Sequence, residues 1–275
     1  MLGVGASLGW GIADFGGGLA SRRAPLLGVL LATQLVALAI ALPLAGVAHE
    51  PTLSTRDIGL AVFGGVVGSV GLAALYRGLS VGRMGVVAPL AGVLTALIPV
   101  GAAIVLEGPP SLLVVAGIVA ALASVVVVTR SDDGGADRPS GLAWGLGAGV
   151  AFGLFVLAIS QLSDGVVFAP LAIVRGVEAA VIAIAILASR GAWRVPRATW
   201  WLIVPIGALD MASNVAFLGA SHAGPLAIAA SLSSLYPVVT VVLAAIVLRE
   251  QVTAARAIGV GLAGLAIALI ASGRA

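Results

Sequence analysis

Four ionisable residues fall deep inside apolar runs of this 275-residue sequence: Asp14, Arg175, Glu178 and Asp210. On insertion scales a charge at the centre of a helix in hydrocarbon costs roughly 2.5–3.5 kcal/mol, so such groups pair, line a watery cavity or bind something. Arg175 and Glu178 are three residues apart and share a helix face, where they can neutralise each other. Asp14 and Asp210 have no such partner along their own segments. Each does share its face with a group able to touch a ligand: Trp10 one turn before Asp14, Asn214 one turn after Asp210. With all four ionised, three negative charges stand against one positive, an excess that a proton, a coupling cation or a substrate would offset. The expected site is therefore a proton or cation-substrate site formed by Asp14 and Asp210. The competing arrangement is a static bridge from either acid to Arg175. Gln34, midway along its segment, is polar at little cost and is placed to hydrogen-bond across helices or to a substrate.

Enzyme chemistry has little to work with. The two histidines, His49 and His222, are expected in loops, and neither has the spacing of a zinc site. Ser221 beside His222 is no nucleophile pair, because adjacent residues on a helix point apart. There is no cysteine, which excludes disulfides and thiol chemistry. There is no lysine either, which excludes a GxxxxGK[ST] phosphate loop. The sequence calls for no metal, no cofactor and no enzymatic activity.

The elements that must position these charges follow from composition. Hydrophobic residues make up 61% of the chain and charged residues 9%, with a mean hydropathy of +1.20; a soluble domain carries about 25% charged residues. The chain is expected to be an integral membrane protein whose surroundings are the lipid bilayer. Its net charge of +3 comes from arginines scattered between apolar runs, which gives no nucleic-acid reading. Crossing the hydrocarbon takes about 20 mostly apolar residues. Cutting at charge, proline and glycine clusters gives ten segments: 2–21, 26–47, 58–79, 84–106, 111–130, 141–161, 166–189, 198–221, 225–248 and 254–272. Helices satisfy their own backbone in lipid, and these runs are too long and too poor in polar residues for barrel strands. The first segment has no positive charge before it, and Arg22-Arg23 follow it, the wrong flank for a cleaved signal.

Two halves repeat one plan. The stretch from Ala88 to Pro110 is echoed from Ser231 to Thr253, with Glu107 falling on Glu250. Within two positions of that offset Asp14 corresponds to Val156, 142 positions on, and Gln34 to Arg175, 141 positions on. The most hydrophilic stretch, Ser131 to Ser140, reads as a linker. The expected organisation is a first five-helix repeat at 1–130, a linker at 131–140 and a second repeat at 141–275. An odd number of crossings per half makes the repeat inverted, a common transporter plan with substrate held near the midplane between halves.

Smaller features follow from the same segments. Gly141, Gly145, Gly149 and Gly153, like Gly64 and Gly68, recur every four residues and make faces for close helix packing. Pro89, Pro99, Pro205 and Pro237 lie inside helices, where each opens a kink that serves as a fixed bend or a gate. Tyr76, Tyr236 and Phe217 are expected beside short loops or cavity mouths, anchoring at the membrane interface unless they serve a cavity, and Trp193, Trp200 and Trp201 form an aromatic belt around a basic loop. Eleven arginines (22, 23, 77, 83, 130, 138, 190, 194, 197, 249 and 256) fall in the loops after the odd-numbered segments, against Arg56 and Arg274 on the other side. By the positive-inside rule those loops are cytoplasmic and both termini outside.

These features resemble the drug/metabolite transporter superfamily, specifically its ten-helix EamA family. The resemblance rests on the two five-helix halves, Trp10-Gly11 in the first segment, and Ser234-Leu235-Tyr236-Pro237, which looks like the family's serine-leucine-x-proline. Leu106-Glu107-Gly108 and Leu248-Arg249-Glu250 are similar to its Leu-Gly-Glu, although the glycine before each glutamate is missing. The first copy has Gly92-Val93-Leu94 and reaches a proline only at Pro99. The resemblance implies a multi-pass secondary carrier in the cell (inner or plasma) membrane, moving a small metabolite such as an amino acid by alternating access. It also implies cytoplasmic termini, opposite to the arginine count. The expected binding residues are Trp10, Asp14, Gln34, Arg175, Glu178, Asp210 and Asn214, with a small-molecule substrate and coupling to a proton or cation. The other class open to the sequence is a non-transporting membrane subunit or lipid-binding scaffold, in which every buried charge is bridged.

Overall fold

The computed structural model describes residues 2–107, 111–130, 141–223, 233, 236–249 and 253–273, and among these the chain is all-helical. The helices are α1 (Leu2–Ser21), α2 (Leu26–Val47), α3 (Thr55–Val81), α4 (Met84–Glu107), α5 (Leu112–Arg130), α6 (Leu142–Ile159), α7 (Phe168–Ser189), α8 (Trp200–Ala223), α9 (Tyr236–Val247) and α10 (Ala254–Ser272). A short 3₁₀ turn, Arg197–Thr199, leads into α8. The linker at 131–140, Ser234-Leu235 and Glu250 lie outside the described residues.

Length and apolarity fit a bilayer. At 1.5 Å per residue a 22-residue helix such as α2 or α7 spans about 33 Å, against a hydrocarbon core of about 30 Å. Five spans meet both criteria among the described residues: α2, α3, α6, α7 and Arg197–Ala223. Bulky apolar side chains such as Leu187, Ile246 and Val47 are left outside the bundle, as in a protein whose solvent is lipid.

Close approach of backbones, not side-chain bulk, sets the packing. On α6, a Cβ at Gly145 would lie 3.1 Å from Val87 O, and one at Gly149 would lie 2.8 Å from Ala91 O. A Cβ at Gly153 would lie 2.7 Å from Ile98 Cβ. The glycine face of α6 thus lies on α4, as its spacing leads one to expect. Gly141 does a different job: it is the left-handed residue (φ 77°) that opens α6. Three further glycines seat other helix pairs. A Cβ at Gly11 of α1 would lie 2.7 Å from Tyr236 O of α9, and one at Gly65 of α3 would lie 2.9 Å from Val174 O of α7. A Cβ at Gly207 of α8 would lie 2.6 Å from Thr33 O of α2. α5 and α10 pack on each other, with Ser124 Oγ donating to Gly259 O at 2.7 Å.

One end of the bundle is tied by polar contacts between distant loops. The Glu50 carboxylate accepts from the backbone N–H groups of Val167, Phe168 and Ala169 at 2.9, 2.7 and 2.9 Å, satisfying the orphan donors that open α7. Ser54 and Asp57 form a capping box at the start of α3, and Asp57 Oδ1 also accepts from Ser163 N at 2.9 Å. Arg56 Nη1 donates to Gln161 O at 2.8 Å.

Pro89 and Pro99 lie within α4 and Pro205 within α8, and both helices continue through them. Pro237 is the second residue of α9 as described. His222 is not in a loop but in the last turn of α8, because the helix runs on to Ala223; His49 is in the α2–α3 loop.

Candidate functional site

Near the middle of the bundle a cavity with about 480 Å³ of empty space, partly continuous with solvent, is bounded by α1, α3, α4, α6, α7, α8 and α9. Six of the seven residues singled out in the sequence line it: Trp10, Asp14, Arg175, Glu178, Asp210 and Asn214. The seventh, Gln34, stands behind the wall and reaches it through Arg175.

Arg175 is the hub. It is 1% exposed, and a guanidinium so buried needs acceptors in fixed positions. Nη1 donates to Glu178 Oε2 at 2.7 Å and to Gln34 Oε1 at 3.0 Å, while Nη2 lies 2.9 Å from Asp210 Oδ2. The i,i+3 pairing on α7 is therefore formed, and the arginine also joins α7 to α2 and α8. Asn214 holds the other side of Asp210: its Nδ2 donates to Asp210 O at 2.8 Å and to Oδ1 at 3.3 Å.

The two aspartates thus part company. Asp210, expected to stand with Asp14 as an unpaired acid, is bridged to Arg175, because α8 packs against α2 and brings the acid to the guanidinium. Asp14 is 8% exposed, and no described residue donates to it or forms an ion pair with it. It faces the cavity from α1 beside Trp10, whose ring leans on Phe217 with centroids 5.7 Å apart and planes inclined by 40°.

Three aromatics depart from their expected interface positions. Phe217, Tyr76 and Tyr236 are buried, at 0%, 2% and 5% exposure. Phe217 packs behind Trp10, and Tyr236 lines the cavity with its hydroxyl unpartnered. Tyr76 fits into the space left by the missing side chain of Gly17. Trp193, Trp200 and Trp201 are exposed, which agrees with the belt. The wall also includes Thr95, Phe152, Phe155 and Gly68, none of which had been singled out for a ligand. A Cβ at Gly68 would run into Glu178 Oε1, so this glycine makes room for the charged cluster, whereas one at Gly64 would meet only ordinary contacts, at 3.6 Å. The signal for Tyr236 was its mid-segment position beside Pro237; Thr95 carried none.

No curated protein matches the chain. Among solved structures, one described as "Crystal structure of protein" superposes with a TM-score of 0.66 at 18% identity, covering 96% of each chain, a likeness of fold alone. The EamA-like transporter family matches residues 1–130 and 139–272. With nearly the whole length matched in two halves, the chain belongs to the EamA-like transporter family, a family of membrane transporters within the drug/metabolite transporter superfamily.

Proposed function

We propose that this protein is a secondary carrier that binds a small metabolite in the central cavity and moves it by alternating access, two inverted five-helix halves (1–130 and 141–275, joined at 131–140) rocking about the site. The observation that carries the reading is a cavity at mid-bundle whose wall holds a buried acid, Asp14, with no partner among the described residues. A scaffold gains nothing from such a group, whereas a carrier needs one to meet a substrate or a coupling proton or cation.

Inverted halves are supported by contacts that recur about 141–142 positions apart. Gly65 lies over Val174 O and Val177; 142 positions on, Gly207 lies over Thr33 O and Val36. Gly11 lies against Val239, and Gly153, again 142 positions on, against Ile98. Gln34 and Arg175, 141 apart, hydrogen-bond to each other, as equivalent residues do beside a two-fold axis. The site is read as Trp10, Asp14, Asn214 and the Arg175 cluster, in a multi-pass protein of the cell membrane working without a cofactor and catalysing no reaction.

The test is reconstitution. A thermal-shift screen of metabolites at two pH values selects ligands that bind the folded protein. Proteoliposomes are then loaded with the selected ligand and assayed for counterflow. Flux above that of empty liposomes, lost in Asp14→Asn, is the expected result; flux indifferent to Asp14→Asn, or none with any selected ligand, sinks the reading.

A further inference from the structure

The charges and walls of the cavity narrow the substrate class, granted the transport reading above. Arg175 cannot serve as a free counter-ion for an anionic ligand: its Nη1 is engaged by Glu178 and Gln34, and its Nη2 faces Asp210. Two carboxylates already answer that one positive charge. Asp14 is then an acid in surplus, facing the cavity with no described residue as its partner. A second acceptor stands on the same wall: Asn214 Oδ1 is buried without a hydrogen-bond partner. The surfaces between these acceptors are aromatic, from Trp10, Phe152, Phe155 and Tyr236. Three donors also lack a hydrogen-bond partner: Arg175 Nε, Arg175 Nη2, whose contact with Asp210 Oδ2 at 2.9 Å is an ion pair without hydrogen-bond geometry, and the Tyr236 hydroxyl. The first two belong to a guanidinium whose charge is already outweighed, and the third is neutral.

An excess of negative charge, open acceptors and ring faces is the environment that suits an ammonium group. We propose that the cavity binds an organic cation, a primary amine with an apolar or aromatic body and no carboxylate of its own, whose ammonium pairs with the Asp14 carboxylate. A zwitterion or an anion would bring a negative group into a cavity that already holds three carboxylates.

Four probes that share one ring separate the alternatives: 2-phenylethylamine, phenylalanine, 3-phenylpropionate and 2-phenylethanol. Binding is measured calorimetrically on the purified full chain in detergent, for the wild type, Asp14→Asn and Asp14→Glu. The amine is expected to bind, with the alcohol and the carboxylate weaker by about 10–100-fold, the range of one hydrogen bond to a charged group. Phenylalanine falls below the amine. Asp14→Asn loses the amine by a similar factor while its melting temperature stays at the wild-type value, and Asp14→Glu keeps part of the affinity. The inference is overturned if the alcohol, the carboxylate or phenylalanine binds as tightly as the amine, if Asp14→Asn binds the amine unchanged, or if none of the four binds. Counterflow distinguishes this failure from failure of the transport reading. Asp14-dependent flux of a non-amine solute would leave the carrier standing and remove the amine. Amine binding with no flux of any solute would do the reverse.

Discussion

Replacing Arg175 by methionine keeps most of the side-chain volume and removes the guanidinium that joins α2, α7 and α8. Glu178, 1% exposed, then loses its partner at 2.7 Å, Asp210 loses the group 2.9 Å away, and Gln34 Oε1 loses its donor. Breaking a buried ion pair by removing one member costs about 3–5 kcal/mol, because the remaining charge stays in low dielectric without compensation. At about 2–4 °C per kcal/mol, the scale for chains somewhat shorter than this one, the melting temperature should fall by roughly 6–20 °C. Asp14→Asn is the control. It removes a charge for which no described residue is a partner, so its melting temperature should stay within about 1 kcal/mol equivalent, roughly 2–4 °C, or rise. The assay is thermal unfolding of both variants in the same detergent, followed by static light scattering and tryptophan fluorescence. If Arg175→Met melts with the wild type, or if Asp14→Asn falls as far as Arg175→Met, the division into a structural triad and a free acid is wrong.

Three further outcomes follow from the packing and the loops. Glu50→Ala strips the acceptor from three N–H groups at the start of α7 and should cost about 2 kcal/mol, with Glu50→Gln costing less; hydrogen exchange should rise at Val167, Phe168 and Ala169 and not at the far end of α7. Gly207→Ala puts a Cβ 2.6 Å from Thr33 O and 2.8 Å from Val36 Cβ and should destabilise by about 1–3 kcal/mol in thermal unfolding. Gly176→Ala, on a helix face with nothing within 4 Å, should be neutral or stabilise by up to about 1 kcal/mol, because alanine is the better helix former.

The helix boundaries were legible because in this chain polar residues have one main use, to end a crossing. The segment 26–47 is α2 to the residue, and 58–79 falls short of α3 by three residues at its start, where Ser54 and Asp57 cap the helix, and by two at its end. That capping box stands in the sequence as Ser-x-x-Asp. The partner of Asp57 across the bundle, Ser163, does not, since nothing local marks a contact 106 positions away. The same limit applies to Arg175. Its bond to Glu178 follows from helical spacing, but its bridge to Asp210 depends on how α8 docks against α2, and that is set by Gly207, a lone glycine with no repeat of its own to mark it. Burial of Tyr76, Tyr236 and Phe217 escaped for a related reason. An aromatic ring reads the same at an interface and in a core until the gap opposite it is known, and for Tyr76 that gap is Gly17.

Under the proposed organisation in two inverted halves, equivalent positions explain why the charges sit where they do. Glycine contacts recur at Gly11 and Gly153 and at Gly65 and Gly207, so helix spacing is kept alike in both halves. The polar positions are not kept alike: Asp14 corresponds to Val156, Arg175 to Gln34, and Asp210, 142 positions after it, to Gly68. All of these but Gln34 face the same cavity. If Gly68 carried a second carboxylate, it would occupy the place of Glu178 Oε1 and bring a fourth acid to a wall with one guanidinium. Val156, which corresponds to Asp14 by offset and also lines the cavity, is apolar and offers that acid no partner. Repetition therefore fixes the distances between helices. Departure from it, at a few positions that line the cavity, leaves one bridged cluster and one open carboxylate in the same wall.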